Sequence, residues 1–297
     1  MRKSKYVIFV VISAICWGFA GYFNRILAEV EPNTMNRVTI RNFLSLVCLT
    51  LVFTAVRRSV FRFPKKHLIC FIGSGLLSVL GLSVVYFHAQ MRCSLATAGT
   101  LLYLAPSLVV LMSAAIWREK ITLRKGLALL SALLGCALVC GMAGGEISGT
   151  ADGVLLGIAS AFCYATYTIF SHYTLQDYEP YTVIYWTFVF AGLGSLTLPD
   201  YHTIGAAFTS WKGLGAALGV VVIGTVLPYL FYTKGLEGLE GGKASIIATL
   251  EPVVTALTGI FLLGESFNIW TGLGIVFVLG GVVLLAERGK QNGEERG

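Results

Sequence analysis

The sequence predicts an all-α polytopic membrane protein with ten transmembrane helices. They form two inverted five-helix repeats, and both termini are cytoplasmic. Three observations carry that expectation. The 297 residues are 56% hydrophobic and only 12% charged, against roughly 25% charged in an ordinary soluble chain. Apolar runs of about 20 residues, the length that crosses a bilayer, recur from one end to the other. The chain is also internally duplicated.

The duplication is read by sliding residues 80–143 forward by 146 positions. Tyr86 then falls on Tyr232, Leu104 on Leu250, Pro106 on Pro252 and Glu119 on Glu265. Thr122 meets Asn268, Gly126 meets Gly272 and Gly135 meets Gly281. A shift of 147 sets Ser13-Ala14-Ile15-Cys16-Trp17 on Ser160-Ala161-Phe162-Cys163-Tyr164. An apolar repeat of this kind implies two half-proteins facing each other across a shared midplane site.

The expected spans are 6–28, 34–56, 67–90, 94–117, 122–143, 152–174, 180–199, 212–236, 242–263 and 267–287. Glu29-Val30-Glu31-Pro32 ends the first. Arg57-Arg58 through Lys65-Lys66 separates the second from the third, and Arg118-Glu119-Lys120 ends the fourth. Thr122 and Asn268 are good N-cap residues at equivalent starts of spans five and ten. The weakest break surrounds Arg92. Met1 to Lys5 followed by Tyr6 to Ile15 imitates a signal peptide. The apolar stretch continues to Leu27, so it reads as a retained first span. The units expected are a first repeat at 1–143, a linker at 144–151, a second repeat at 152–287 and a cytoplasmic tail at 288–297.

Lysines and arginines set the orientation. With the N-terminus inside, 17 of them fall on inner segments and 5 on outer ends. The net charge of +7 is therefore a topology signal, not a nucleic-acid footprint. The basic loops lie near anionic headgroups. Five spans per copy place the second copy upside down, which suits alternating access. The 34 glycines let helices approach closely in lipid. The seven cysteines lie almost all within apolar runs, Cys136 and Cys140 on one helical face, and read as packing residues.

Trp17-Gly18, Arg41, Leu104-Ala105-Pro106 and Glu119 together resemble the first repeat of the EamA family of the drug/metabolite transporter superfamily. Cys163-Tyr164-Ala165, Leu250-Glu251-Pro252-Val253 and Leu263-Gly264-Glu265 resemble its second repeat. The resemblance covers about residues 6–287. It implies a ten-helix bundle that moves small metabolites, often amino acids, their derivatives or drugs, and commonly outward. It also implies peripheral helices at the ends of the two repeats, with the others around a central cavity. Tyr164 stands where the second repeat often carries tryptophan.

Glu251 lies about eight residues into span nine, roughly 12 Å deep at 1.5 Å per residue. A carboxyl at that depth is expensive and marks a functional site by default. Its repeat counterpart is Ala105. The bland alternative is a permanently protonated acid bonded to a backbone carbonyl. Pro106 and Pro252 are expected in mid-helix, each removing a backbone bond to the carbonyls of Leu102 and Ala248, with a gating kink as the result. Arg41 either holds a substrate carboxylate or snorkels to the outer headgroups beside Arg37. Trp17, Tyr86, Tyr103, Tyr164, Tyr167, Tyr229 and Tyr232 are candidates to line the cavity, against interfacial aromatic belts. His88, His172, Glu119 and Glu265 read as polar helix-end residues.

No GxxxxGK[ST], HExxH or GxSxG motif occurs, which leaves no phosphate-cradling loop for an ATP-driven motor in the sequence and argues against common hydrolases. The expected function is a secondary transporter of small organic metabolites in the cell membrane, a bacterial inner membrane by type. Export of amino acids or related compounds is the favoured subclass, with proton coupling through Glu251 and facilitated diffusion both open. No cofactor and no nucleic-acid partner are expected; the partners are a small-molecule substrate and the bilayer. The alternatives are a membrane-embedded lipid or isoprenoid enzyme, a multidrug-type efflux carrier, and a sensor or assembly partner without transport.

Overall fold

The computed structural model describes residues 2–142, 149–264 and 266–286. Among them no strand forms beyond an isolated bridge between Cys93 and Gly149. The helical segments are α1 (Arg2–Val30), α2 (Thr34–Val56), α3 (Leu68–Arg92), α4 (Leu95–Trp117) and α5 (Leu123–Val139). The second half supplies α6 (Ala151–Thr174), α7 (Pro180–Ser195), α8 (Trp211–Leu236), α9 (Gly241–Leu263) and α10 (Ile269–Ala286). Seven of these, all but α5, α7 and α10, are long and apolar enough to cross a membrane. The three shorter ones are trimmed relative to expectation. The backbone turns away at Cys140 and at Leu196, where the sequence stays apolar for several residues more. Gly144-Gly145-Glu146 of the linker, Glu265, and Arg288, Lys290 and Arg296 of the tail lie outside the described residues.

Side-chain caps start the helices where the sequence places short polar residues. Thr122 Oγ1 accepts from Lys125 N at 3.2 Å, and its repeat mate Asn268 accepts from Thr271 N at 2.8 Å. Ser94 caps α4 in the same way, which resolves the weak break near Arg92. The repeats also end α4 and α9 alike. Arg118 (φ 54°) and Gly264 (φ 70°) are both left-handed C-caps. At one end of the bundle, Lys66 and His67 both bond to Asp177, and the two together hold its carboxyl below the ordinary range.

The long helices are not uniform rods. In α3 the nine residues Gly73–Gly81 widen into π-helix, and so do Val222–Val226 in α8. Ser78 Oγ reaches back to Gly73 O (a long 3.5 Å), and its mate Thr225 Oγ1 to Val220 O at 2.8 Å, each spanning five residues. A hydroxyl thus satisfies a carbonyl that the widened turn releases. α4 breaks at Tyr103-Leu104 and α9 at Thr249, again at equivalent positions. This corrects the expectation for the prolines. Pro106 and Pro252 do not sit in mid-helix; each falls in the first turn of a restarted helix, where a missing N–H is tolerated.

The two halves interlock rather than sit side by side. α1 of the first repeat packs on α8 and α9, and its mate α6 packs on α3 and α4. α2 pairs with α7, and α5 with α10. The α5–α10 pair shows the symmetry atom by atom. A Cβ on Gly274 would lie 2.7 Å from Gly135 O, and a Cβ on Gly281 would lie 2.7 Å from Ala128 O. Under the shift of 146 these two contacts are one contact seen twice. Because the pair runs antiparallel, the relating axis is perpendicular to the helices, as an inverted repeat requires. With no hydrophobic drive between helices in lipid, such close small-residue crossings carry the association.

That crossing yields a paired test. Gly135→Ala should lower stability by about 1–3 kcal/mol through overpacking. Gly126→Ala on the same helix, with no atom within 4 Å of its Cβ, should be neutral or stabilise by up to about 1 kcal/mol. Unfolding midpoints in detergent measure both; equal effects would contradict the crossing.

Candidate substrate-binding site

Helices α1, α6 and α8 bring five aromatic side chains to one point between the halves. Trp17 lies 5.4 Å from both Tyr229 and Tyr232 and 6.2 Å from Tyr164, centroid to centroid. Tyr167 completes the cluster at 4.8 Å from Tyr229, edge to face. Their polar ends are partnered. Tyr167 Oη and Thr233 Oγ1 are 2.7 Å apart, and Tyr232 Oη and Thr168 Oγ1 are 2.8 Å apart. Ser78, Leu82 and Thr168 close the cluster, leaving about 10 Å³, the room of a single water. The rings are packed against each other, so a substrate can enter only if they part.

Two charged groups flank the cluster. Glu251 lies in the first turn of the restarted half of α9, two residues beyond the break at Thr249. Its carboxyl is met by the hydroxyls of Tyr103 and Tyr164, the latter at 3.5 Å. The Arg41 guanidinium lies near Tyr229, close enough for its charge to act on the tyrosine hydroxyl. Arg41 Nε is buried without a hydrogen-bond partner, and so are both side-chain polar atoms of the fully buried Asn42 beside it. Tyr229 feels both Arg41 and Glu251. Glu251 and Arg41 therefore each approach a tyrosine of one aromatic cluster, Glu251 at Tyr164 and Arg41 at Tyr229.

Beyond Glu251 a second, larger space opens. It encloses about 550 Å³ and is lined by Tyr86, Tyr103, Cys140, Pro252, Thr255 and Asn268, among others. That volume is in the range of small-molecule sites. Tyr103 connects the two spaces, since it lines the larger one and also reaches Glu251.

The structure thus gathers Trp17, Tyr164, Tyr167, Tyr229 and Tyr232 in the central cluster. Glu251 and Arg41 stand at its margins, and Tyr86, Tyr103 and Pro252 line the vestibule. Pro106 is buried on α4, away from both spaces' linings. Arg37 bonds to Thr34 Oγ1 at 2.7 Å near the start of α2. His172 stacks on Trp117 at 4.5 Å, and Glu119 pairs with Lys125. Sequence reasoning did not single out Thr168 and Thr233, which fix two tyrosine hydroxyls, or Thr255 in the vestibule, and it read Cys140, which also lines the vestibule, as a packing residue. A hydroxyl four or one residues from a candidate aromatic was the available signal.

An all-helical, multi-pass membrane protein with interlocked halves and a charged, aromatic site between them belongs to the class of membrane carriers built from repeats. The family is named by two matches to one family model, at residues 4–141 and 151–286. The chain belongs to the EamA-like transporter family. It is 29% identical over 283 residues to an uncharacterized inner membrane transporter, YicL, of Salmonella typhimurium strain LT2, covering 93% of each chain. An uncharacterized transporter of Archaeoglobus fulgidus is 27% identical over 275 residues, covering 93% of this chain and 94% of that one. The fold also matches a crystal structure at TM-score 0.76 with 18% identity, over 97% of this chain and 99% of that one.

The cluster predicts a split between two tyrosines. Tyr232→Phe leaves Thr168 without its partner and should cost about 1–2 kcal/mol of stability. Tyr164→Phe breaks only a long bond to Glu251 and should leave the unfolding midpoint within about 0.5 kcal/mol of wild type. Thermal unfolding of both variants checks this; a larger loss for Tyr164→Phe would show that its hydroxyl is structural.

Proposed function

We propose that this protein is a secondary transporter that moves a small zwitterionic metabolite, an amino acid or close derivative, by alternating access. In this reading all ten helices span the membrane as two inverted repeats, both termini are cytoplasmic, and net movement is outward across a cell membrane. One observation carries the substrate class: a carboxyl and a guanidinium both approach a single aromatic box, Glu251 at Tyr164 and Arg41 at Tyr229. A substrate ammonium faces Glu251 and the rings, where cation–π attraction adds to charge. A substrate carboxylate faces Arg41, whose planar fork suits it. The mild polarity of Tyr103 and Tyr164 lets Glu251 exchange its proton for the ammonium, which gives proton coupling. The prolines in the restarted halves of α4 and α9 keep those halves separate enough to tilt during the cycle.

A second reading, efflux of hydrophobic organic cations, is favoured by the same box of rings beside a carboxyl. Arg41 separates the two. A carrier of simple cations gains nothing from it.

An unbiased comparison of extracellular metabolites with and without overexpression identifies the substrate and direction. In proteoliposomes loaded with that compound, Glu251→Gln should abolish pH-driven flux; undiminished pH-driven transport would remove proton coupling. Arg41→Gln should raise the KM for a zwitterion by roughly 10- to 100-fold, the loss of a charge-assisted bond. An unchanged KM would favour the cation reading.

A further inference from the structure

The two ends of the α4–α9 interface are repeat mates, yet only one is closed. At the closed end, the start of α9 lies against the end of α4. A Cβ on Gly241 would sit 3.1 Å from Ser113 Oγ, and one on Gly242 would sit 3.1 Å from Val110 Cγ2 and 2.6 Å from Lys125 Cε. Under the shift of 146, Ser113 corresponds to Gly259, and Gly241, Gly242, Val110 and Lys125 correspond to Leu95, Ala96, Ala256 and Thr271 at the other end. Those four line the 550 Å³ vestibule. The vestibule is therefore the place where the mate of a sealed contact stands open. Its lining residue Cys140 follows α5, while Lys125 lies at the start of that helix. About 15 residues, roughly 22 Å of helix, separate the two ends.

What differs between the ends is charge. Lys125 Nζ bonds to Glu119 Oε2 at 2.8 Å and to Glu240 Oε2 at 3.5 Å. The Lys125 side chain is 2% exposed and that of Glu119 9%, whereas Glu240 is 46% exposed. Glu119 and Lys125 belong to the first repeat; Glu240 precedes α9 of the second. The mates of Lys125 and Glu240 are Thr271 and Ser94, which cannot form an ion pair. Burying a lysine and a glutamate costs several kcal/mol per ion before pairing returns it, so such a pair is a weak source of static stability. It suits an end that opens, because separated ions regain hydration while separated apolar faces do not.

We propose that Glu119, Lys125 and Glu240 form a latch that shuts one end of the transport path and holds the protein in the state whose opposite end, the Cys140 vestibule, is open. This rests on the transport reading for its purpose, but its test does not measure transport. In nanodiscs both faces are accessible, and reaction with a trimethylammonium methanethiosulfonate can be read residue by residue by peptide mass. Cys140 reports the vestibule. A Ser113→Cys replacement, placed in the sealed contact, reports the latched end. In the protein carrying that replacement, Cys140 should react faster than the residue 113 thiol.

Glu240→Gln loosens the partly exposed arm that joins the repeats, together with the local pair that Glu240 makes with Lys243 at 3.1 Å. It should slow Cys140 and speed the residue 113 thiol by roughly two- to fivefold, the worth of one such ion pair. The double variant Glu119→Gln with Lys125→Met leaves no unpaired buried charge, and should shift both rates further in the same directions. Unchanged rates at both reporters in either folded variant, or a Cys140 that is unreactive in the parent, would overturn the proposal. Flux without any labelling shift would reject the latch and leave the transport reading standing. A labelling shift in a protein that moves no metabolite would do the reverse.

Discussion

Close approach of helix backbones across the pseudo-two-fold axis is the constraint on which this fold depends. Lipid gives helices no hydrophobic reason to associate, so contact area and proximity must do it. Gly135 against Gly274 and Ala128 against Gly281 set the α5–α10 distance. Gly18 does the same where α1 crosses α9, with Val254 and the Glu251 carbonyl next to where its Cβ would be. Its mate Ala165 lies in the equivalent α6–α4 cluster with Leu108, the mate of Val254. These crossings bring the middles of α1, α6, α8 and α9 together and so determine where Trp17, Tyr164, Tyr229 and Glu251 meet.

Polar groups at that depth have no water to fall back on, and the structure answers with hydroxyls. Ser13 bonds to the Pro228 carbonyl, Ser74 to Thr187, and Ser78 to Thr166. Several of these sit beside the widened turns of α3 and α8, where regular i to i−4 pairing is lost. The turns and the breaks in α4 and α9 recur at equivalent positions in both repeats, so they are features of the repeat rather than local accidents. Each places irregular backbone next to the shared site, the one location in a membrane where it can be tolerated.

The duplication, the helix succession, the caps at Thr122 and Asn268 and the aromatic candidates were all legible in the sequence. Periodic apolar runs and repeated motifs depend on local pattern, and pattern survives in one dimension. The prolines show the limit of that reading. Pro106 and Pro252 look like kinks within apolar runs of normal length, but the helix has already ended at Tyr103 and Thr249, which no hydropathy change announces. The short α5 and α7 have the same cause, since apolar residues after Cys140 and Leu196 extend the run past the helix. Lys125 was hidden differently. Three residues into α5 it counts in the sequence as one more positive charge at an end expected to be cytoplasmic, and its burial depends on Glu119 across a turn and Glu240 in the other repeat.

Duplication supplies a symmetric frame, and a symmetric frame alone has no direction. Among the deviations from symmetry, three place a charge where the mate has none at points that matter to the site or to an end of the bundle. Glu251 answers to Ala105, Arg41 to Phe188 near a shift of 147, and Lys125 to Thr271. The first two stand at the margins of the central aromatic box, where on the proposed transport reading they tell one end of a bound molecule from the other. The third stands at an end of the bundle, where it distinguishes one face of the protein from the other. Two inverted halves could exchange shapes at equal energy if their side chains matched. On the proposed alternating-access reading, unmatched charges at these three places make the exchanged states unequal, and an inequality between states is what a carrier needs if its resting state and its response to substrate are to be defined.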